Sequence, residues 1–298
     1  MTCDILVDGA AVVTVDPEWR IFDPGHVAID GGRIVGVGSS GGAAARAWEP
    51  RRRIDGAGKL VIPGFVNTHT HVAMAAFKGA GEDVRDRLAR YIFPMEKRLV
   101  DADLVYRGSR FCLAEMAKSG TTTFADMYYF EEEVARAAKE AGLRALLGET
   151  VVDFPAPDAP EPYGGIEKAR RFAADWKGDA LVTPCFAPHA TYTVDAGRLV
   201  LLRGEAERLG SPLMLHFAEM ADEAERFKAS HGSVARYLDS IGLLWPGLLA
   251  VHAIYVDGED AGLLGRRGVA VAHCPASNAK GGRPVAPALA MREAGVRL

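Results

Sequence analysis

Two histidines spaced one residue apart, His69 and His71, close the segment Pro63-Gly64-Phe65-Val66-Asn67-Thr68. Side chains repeat with period two along a strand, so both imidazoles point to one face. Two neutral imidazoles converging on a point suit a borderline cation such as Zn²⁺. His216, at the end of the apolar run Pro212–Leu215, offers a third nitrogen. Glu219 follows three residues later and can reach over such a metal without ligating it. A general base and proton shuttle for water belongs in that place. Alone, Glu219 would read as a first-turn carboxylate of a helix starting near Ala221, favoured by the helix dipole. His216 beside it tips the reading to catalysis.

Further histidines fall at comparable places. His252 closes Leu249-Ala250-Val251, where it can polarise a substrate or orient a nucleophile; the plainer alternative is a buried structural histidine. His189, in Ala187-Pro188-His189-Ala190-Thr191-Tyr192, fits a hydrogen bond to substrate. His273, in His273-Cys274-Pro275-Ala276-Ser277-Asn278, either joins the set or organises its loop. His26 and His231 carry no functional reading.

The elements that must position these residues show a regular rhythm. From residue 60 onward, short apolar strands are expected at Leu60–Asn67, Thr121–Asp126, Arg144–Val151, Ala180–Phe186, Pro212–His216, Leu248–Ala253 and Gly268–His273. Between them lie helical spacings near 103–118, 131–141, 165–176, 195–209, 221–240, 257–265 and 285–294. In the first helix Leu104, Gly108, Phe111 and Cys112 are expected to share a face. Strands alternating with helices predict βαβ units and a parallel sheet. Seven units, followed by Val296-Arg297-Leu298 as the start of an eighth strand, predict a (β/α)₈ TIM-type barrel that stops at the start of strand eight. A doubly wound open sheet is the alternative. The histidines favour the barrel, because six of the eight end predicted strands, and a barrel gathers those ends at one mouth.

Residues 1–57 read as β: Ile5–Val7, Val12–Val15, and a hairpin of His26–Ile29 and Ile34–Val37 around Asp30-Gly31-Gly32. Gly38–Ala45 reads as a loop, and Arg51-Arg52-Arg53 as a solvated one. The segment is too small to stand alone, so it is assigned as the N-terminal strands of a composite β-sandwich, with the barrel over 58–298.

Composition narrows the class. Hydrophobic residues make up 49% and charged residues 25% of 298, and the net charge is −4. These values fit a globular enzyme and give no electrostatic case for nucleic acid or an anionic membrane. The four cysteines form no CxxC pair, which argues for a reducing compartment. With no signal core and no stretch long enough to span a bilayer, the expected location is the cytoplasm. Self-assembly into a homo-oligomer is left open.

The run Ile62–His71, the His216-to-Glu219 element, Val251-His252 and His273–Asn278 together resemble the amidohydrolase superfamily. Within it, they resemble the branch of S-adenosylhomocysteine/5′-methylthioadenosine deaminases and s-triazine hydrolases. Phe93-Pro94-Met95-Glu96, Gly120-Thr121-Thr122-Thr123-Phe124-Ala125-Asp126-Met127 and Pro188–Tyr192 are also similar to this branch. The resemblance implies one divalent metal, zinc with iron as the alternative, on His69, His71, His216 and an Asp at the end of strand eight. It implies Glu219 as proton shuttle, His252 beside the activated water, and Glu96 and His189 in contact with substrate. The expected reaction is hydrolytic deamination of an amino-substituted heterocycle of the adenosine type, releasing ammonia. Displacement from an s-triazine and guanine or pterin deamination are alternatives; so, from another class, is an inactive metal-binding chain. Two departures stand out. The Arg expected near Glu149 and the Trp expected near Arg87 are absent, and no Asp follows Asp260. The expectation is therefore a fragment of a longer product, weakly stable and weakly active by itself.

Overall fold

The computed structural model describes residues 1–41, 47–81, 84 and 87–298. The chain divides into two compact units, Met1–Phe65 and Val66–Leu298.

The first unit is a five-stranded sheet. β1 (Thr2–Val13) pairs antiparallel with β2 (Ile21–Asp30) and parallel with β4 (Glu49–Asp55) and β5 (Leu60–Val61); β3 (Arg33–Ser39) flanks β2. The β2–β3 hairpin turns on Gly31 and Gly32 at φ +53° and +74°. That pair of positive angles matches strand twist and needs residues without a Cβ. The two short runs expected at Ile5–Val7 and Val12–Val15 form one strand, bulged around Gly9, and Val15 falls outside it. Arg51-Arg52-Arg53 is exposed as expected, but it is strand β4 rather than a loop, because Arg52 and Arg53 sit in register with Ile5 and Leu6. Of the loop expected at Gly38–Ala45, Gly38 and Ser39 end β3, and positions 42–45 lie outside the described residues.

The second unit holds a seven-stranded sheet in the order β12-β11-β10-β9-β8-β7-β6, parallel from β7 to β12. Its strands are β6 (Phe65–Thr70), β7 (Thr121–Tyr128), β8 (Arg144–Val151), β9 (Val182–Pro188), β10 (Leu213–Phe217), β11 (Leu248–His252) and β12 (Ala270–Ala272). In a flat sheet β6 and β10 would lie roughly 19 Å apart, four spacings of the ladder. Yet His69 of β6 and His216 of β10 meet ring to ring at 3.1 Å, so the sheet curls into a nearly closed barrel. Ala125, Met127, Cys185, Ala187, Met214 and Val251 fill its interior. Arg297 bridges Ala270 in parallel, the start of an eighth strand beside β12.

The helices follow the predicted rhythm: α1 (Phe93–Leu99), α2 (Ala102–Lys118), α3 (Glu131–Ala141), α4 (Gly165–Asp175), α5 (Ala196–Leu209), α6 (Ala221–His231), α7 (Val234–Ser240), α8 (Gly258–Arg266), α9 (Pro275–Lys280) and α10 (Ala288–Glu293). Three local departures have clear causes. The strand expected over Leu60–Asn67 breaks between β5 and β6 at Pro63-Gly64, where proline has no N–H for a ladder. The helix expected over 221–240 splits because Gly232 takes φ +82° and Ser233 caps α7, its Oγ accepting from Arg236 N at 3.1 Å. In α2 the buried face is Val105, Gly108, Ser109, Leu113 and Met116, while Phe111 is exposed. Gly108 is packed so closely that a Cβ there would stand 2.6 Å from Ala73 O, in the 3₁₀ turn Val72–Phe77 that follows His71. Among the described residues, no helix is long and apolar enough to cross a membrane.

Candidate metal centre

β6, β9, β10 and β11 deliver His69, His71, His189, His216 and His252 to one mouth, although 147 positions separate His69 from His216. His69, His71 and His216 each offer a ring nitrogen, all within 4.8 Å of one another; His216, Glu219 and His252 form a second such group. The three predicted ligands and the two predicted catalytic residues therefore converge.

Backbone carbonyls fix the tautomers. His71 Nδ1 donates to Met127 O at 2.5 Å, and His216 Nδ1 donates to His189 O at 2.9 Å. A carbonyl can only accept, so in both rings the proton is on Nδ1 and Nε2 is a bare lone pair. His69 Nε2 faces that of His216 at 3.1 Å, while His69 Nδ1 is buried with no partner among the described residues. Burial, and then crowding by the neighbouring imidazoles, holds His69 and His216 well below the ordinary histidine range. His71 is lowered mainly by burial, and burial takes His189 to about 3. Neutral imidazoles with bare nitrogens turned to one point are the donor set that a borderline divalent cation requires.

Glu219 lies between β10 and α6. Its N–H donates to Glu223 Oε2 at 3.0 Å, and Glu223 Oε1 accepts from Thr191 Oγ1 at 2.6 Å. Its own Oε1 is 3.0 Å from Arg283 Nη2 and 3.4 Å from His252 Nε2. It is thus outside the helix rather than a first-turn carboxylate. Two unusual backbone stretches set this geometry. Ala218 has φ +46°, and His252 and Ala253 have φ +78° and +49°. Such angles are strained for residues with a Cβ. Ala253 N bonds Phe217 O, and Ile254 N and Tyr255 N both bond Ala218 O, locking the ends of β10 and β11 together. His252 Nδ1 faces Asn278 Oδ1 at 2.8 Å, so Nε2 is the atom turned to Glu219.

These groups line a cavity of about 1100 Å³ that includes His189 and His273. Glu96 lines a smaller recess of about 50 Å³, which shares His71, Phe93 and His189 with the cavity. Its Oε1 accepts from Tyr128 Oη at 2.9 Å, and burial raises its carboxyl to about 7. His189 Nδ1 pairs with Thr193 Oγ1 at 2.9 Å. Outside the site, His26 faces Ser39 O and His231 faces Ser230. No aspartate joins the imidazole cluster among the described residues. Sequence reasoning missed Arg283, Glu223 and the role of Asn278. Only Asn278 had a signal, as the last residue of the segment that begins at His273.

Residues 60–298 match the model of the amidohydrolase family. The 5-methylthioadenosine/S-adenosylhomocysteine deaminase of Syntrophobacter fumaroxidans is 42% identical over 99% of this chain and 68% of its own length. Among solved structures, an adenosine deaminase from Xanthomonas campestris with bound zinc superposes with a TM-score of 0.94. It is 33% identical, over 99% of this chain and 68% of that one. An atrazine chlorohydrolase from Arthrobacter aurescens, complexed with zinc, is similar in fold with a TM-score of 0.87 at 22% identity. That match covers 98% of this chain and 70% of the other.

Proposed function

The chain belongs to the amidohydrolase family, and from that premise we propose that it hydrolytically deaminates an amino-substituted heterocycle, an adenosine-type nucleoside such as 5′-methylthioadenosine or S-adenosylhomocysteine. The observation that carries this reading is the convergence of His69, His71 and His216 with Glu219 and His252 at one mouth. His69, His71 and His216 would hold a single divalent metal, zinc, as the fixed tautomers of His71 and His216 and the neutral, buried ring of His69 suit. When bound, such an ion makes water available as a nucleophile near neutral pH.

The remaining work falls to the chain's own groups. Glu219 takes one proton from water as the C–O bond forms and delivers it to a ring nitrogen; as the C–N bond breaks it carries the second proton, from the hydroxyl of the adduct, to the departing amine. Arg283 and His252, at 3.0 and 3.4 Å, keep its carboxylate in one orientation. His252 Nε2, held by the Asn278 contact, steadies the attacking oxygen. His189 and Glu96 orient the substrate, Glu96 from the recess beside His71, where its carboxyl suits ribose hydroxyls.

The test is release of ammonia by the zinc-loaded protein from 5′-methylthioadenosine, S-adenosylhomocysteine, adenosine and guanine, scored against chloride release from a chlorotriazine. Ammonia from the adenosine compounds is expected. Chloride release with no ammonia would overturn the reading.

A further inference from the structure

Asp126 is fully buried near the end of β7, and its Oδ1 is bound to the residues on either side of His71. Thr70 Oγ1 lies 2.6 Å from it and Val72 N donates to it at 2.7 Å. The Thr70 hydroxyl also reaches Ala125 O at 2.8 Å. Two residues further along the strand, Met127 O accepts from His71 Nδ1. β7 therefore grips residues 70, 71 and 72 at consecutive points, two of them through one carboxylate oxygen.

The other oxygen, Oδ2, is buried and has no hydrogen-bond partner among the described residues. Glu131 Oε2 is likewise without a partner among the described residues, and burial raises both carboxyls. Glu131 is anchored in turn: Oε1 accepts from Tyr128 N at 2.8 Å, and its N–H donates to Glu149 Oε2 at 3.2 Å. Asp126 is thus held through Oδ1 alone, yet it belongs to neither group of candidate metal donors.

We infer that Asp126 is a positioning residue for the metal centre: it fixes the Thr70–Val72 backbone so that His71 presents Nε2 at the required place, and it sets metal affinity without ligating. Groups that orient a ligating histidine typically change affinity 10–100-fold when removed. The inference rests on the proposed three-histidine site, and the experiment separates the two.

Zn²⁺ and Co²⁺ affinities are measured by competition with a chelating dye, and the visible spectrum of the Co²⁺ form is recorded. Asp126→Ala is expected to weaken binding about 10–100-fold and to shift the Co²⁺ bands. Asp126→Asn is expected to restore affinity to within a few-fold, because its amide oxygen can take the place of Oδ1 and accept from Thr70 and Val72. Glu149→Gln removes a neighbouring buried carboxyl that does not touch residues 70–72, and it should leave affinity unchanged. The inference fails if Asp126→Ala binds like the parent, if Asp126→Asn is as weak as Asp126→Ala, or if Glu149→Gln is equally weak. Should Asp126→Ala not fold, Thr70→Val decides: a several-fold loss supports the inference and unchanged affinity overturns it. A parent protein that binds neither ion sinks the three-histidine reading, and this inference with it.

Discussion

His216 turns its bare Nε2 toward His69 Nε2 at 3.1 Å, and both rings are held neutral by burial and by their neighbours. A single proton on His69 can bridge the gap, but a divalent cation engages both lone pairs at once. Replacing His216 with Ala is expected to lower zinc affinity more than 100-fold, read as metal content after dialysis against a chelator. Retention of a full equivalent of zinc would remove His216 from the ligand set.

Glu219→Gln keeps the size and the hydrogen bond from Arg283 but removes the base. Metal content should stay at the parental level while turnover drops about 10²–10⁴-fold, the usual share of general acid–base catalysis. Unchanged turnover would mean that another group moves the proton.

Acid should destabilise the metal-free protein through His189. Burial lowers its pKa from 6.5 to about 3. Between those values the unfolded chain takes up a proton that the folded one refuses, so stability is complete above 6.5 and falls as pH falls. Thermal unfolding at pH 7 and pH 5 should show a drop that His189→Gln partly abolishes. Equal slopes in the two proteins would refute the assignment.

Glu96 carries the opposite sign. Its carboxyl is raised from 4.5 to about 7, so its contribution is complete below 4.5 and is lost as pH rises to about 7. Glu96→Gln should therefore unfold at a higher temperature than the parent at pH 8 and not at pH 4. The same change should raise KM for a nucleoside roughly tenfold, the effect of one lost hydrogen bond to a charged group. A variant destabilised at pH 8 would contradict this.

A packing test concerns Gly108, where a Cβ would stand 2.6 Å from backbone, and Gly204 in α5, where nothing lies within 4 Å. Gly108→Ala should cost about 1–3 kcal/mol by overpacking. Gly204→Ala should gain about 0.5–1 kcal/mol from helix propensity. Denaturant midpoints give both, and the same sign at the two sites would defeat the argument.

Much of this was legible in the chain because two periods dominate it. Apolar runs with a histidine at their C-terminal end announced strands whose ends share a mouth, and β8 and α3 fall on their expected bounds. Two short elements were not legible. The 3₁₀ turn Val72–Phe77 and α9 are six residues each and closely follow a strand-end histidine, where no helix was expected, whereas the equally short α10 fell within its expected span. Arg283 was invisible for a different reason: it lies 64 positions from Glu219, and nothing local marks an ion pair made by a loop. Asp126 sat in plain view within an apolar strand, yet its partner Thr70 is 56 positions away and meets it only once β6 and β7 lie side by side.

The distance in sequence between His69 and His216 bears on how the protein matures. Contacts of that span are slow to form, because a long loop must close before any contact repays it. The nitrogens reach one point only after β6 and β10 have met around the curl of the sheet, so a metal ion cannot nucleate folding as it does in a small zinc module. A metal bound by these three histidines is expected to load late, on a built scaffold. Ion added during refolding should leave the folding rate unchanged and slow only the reverse reaction.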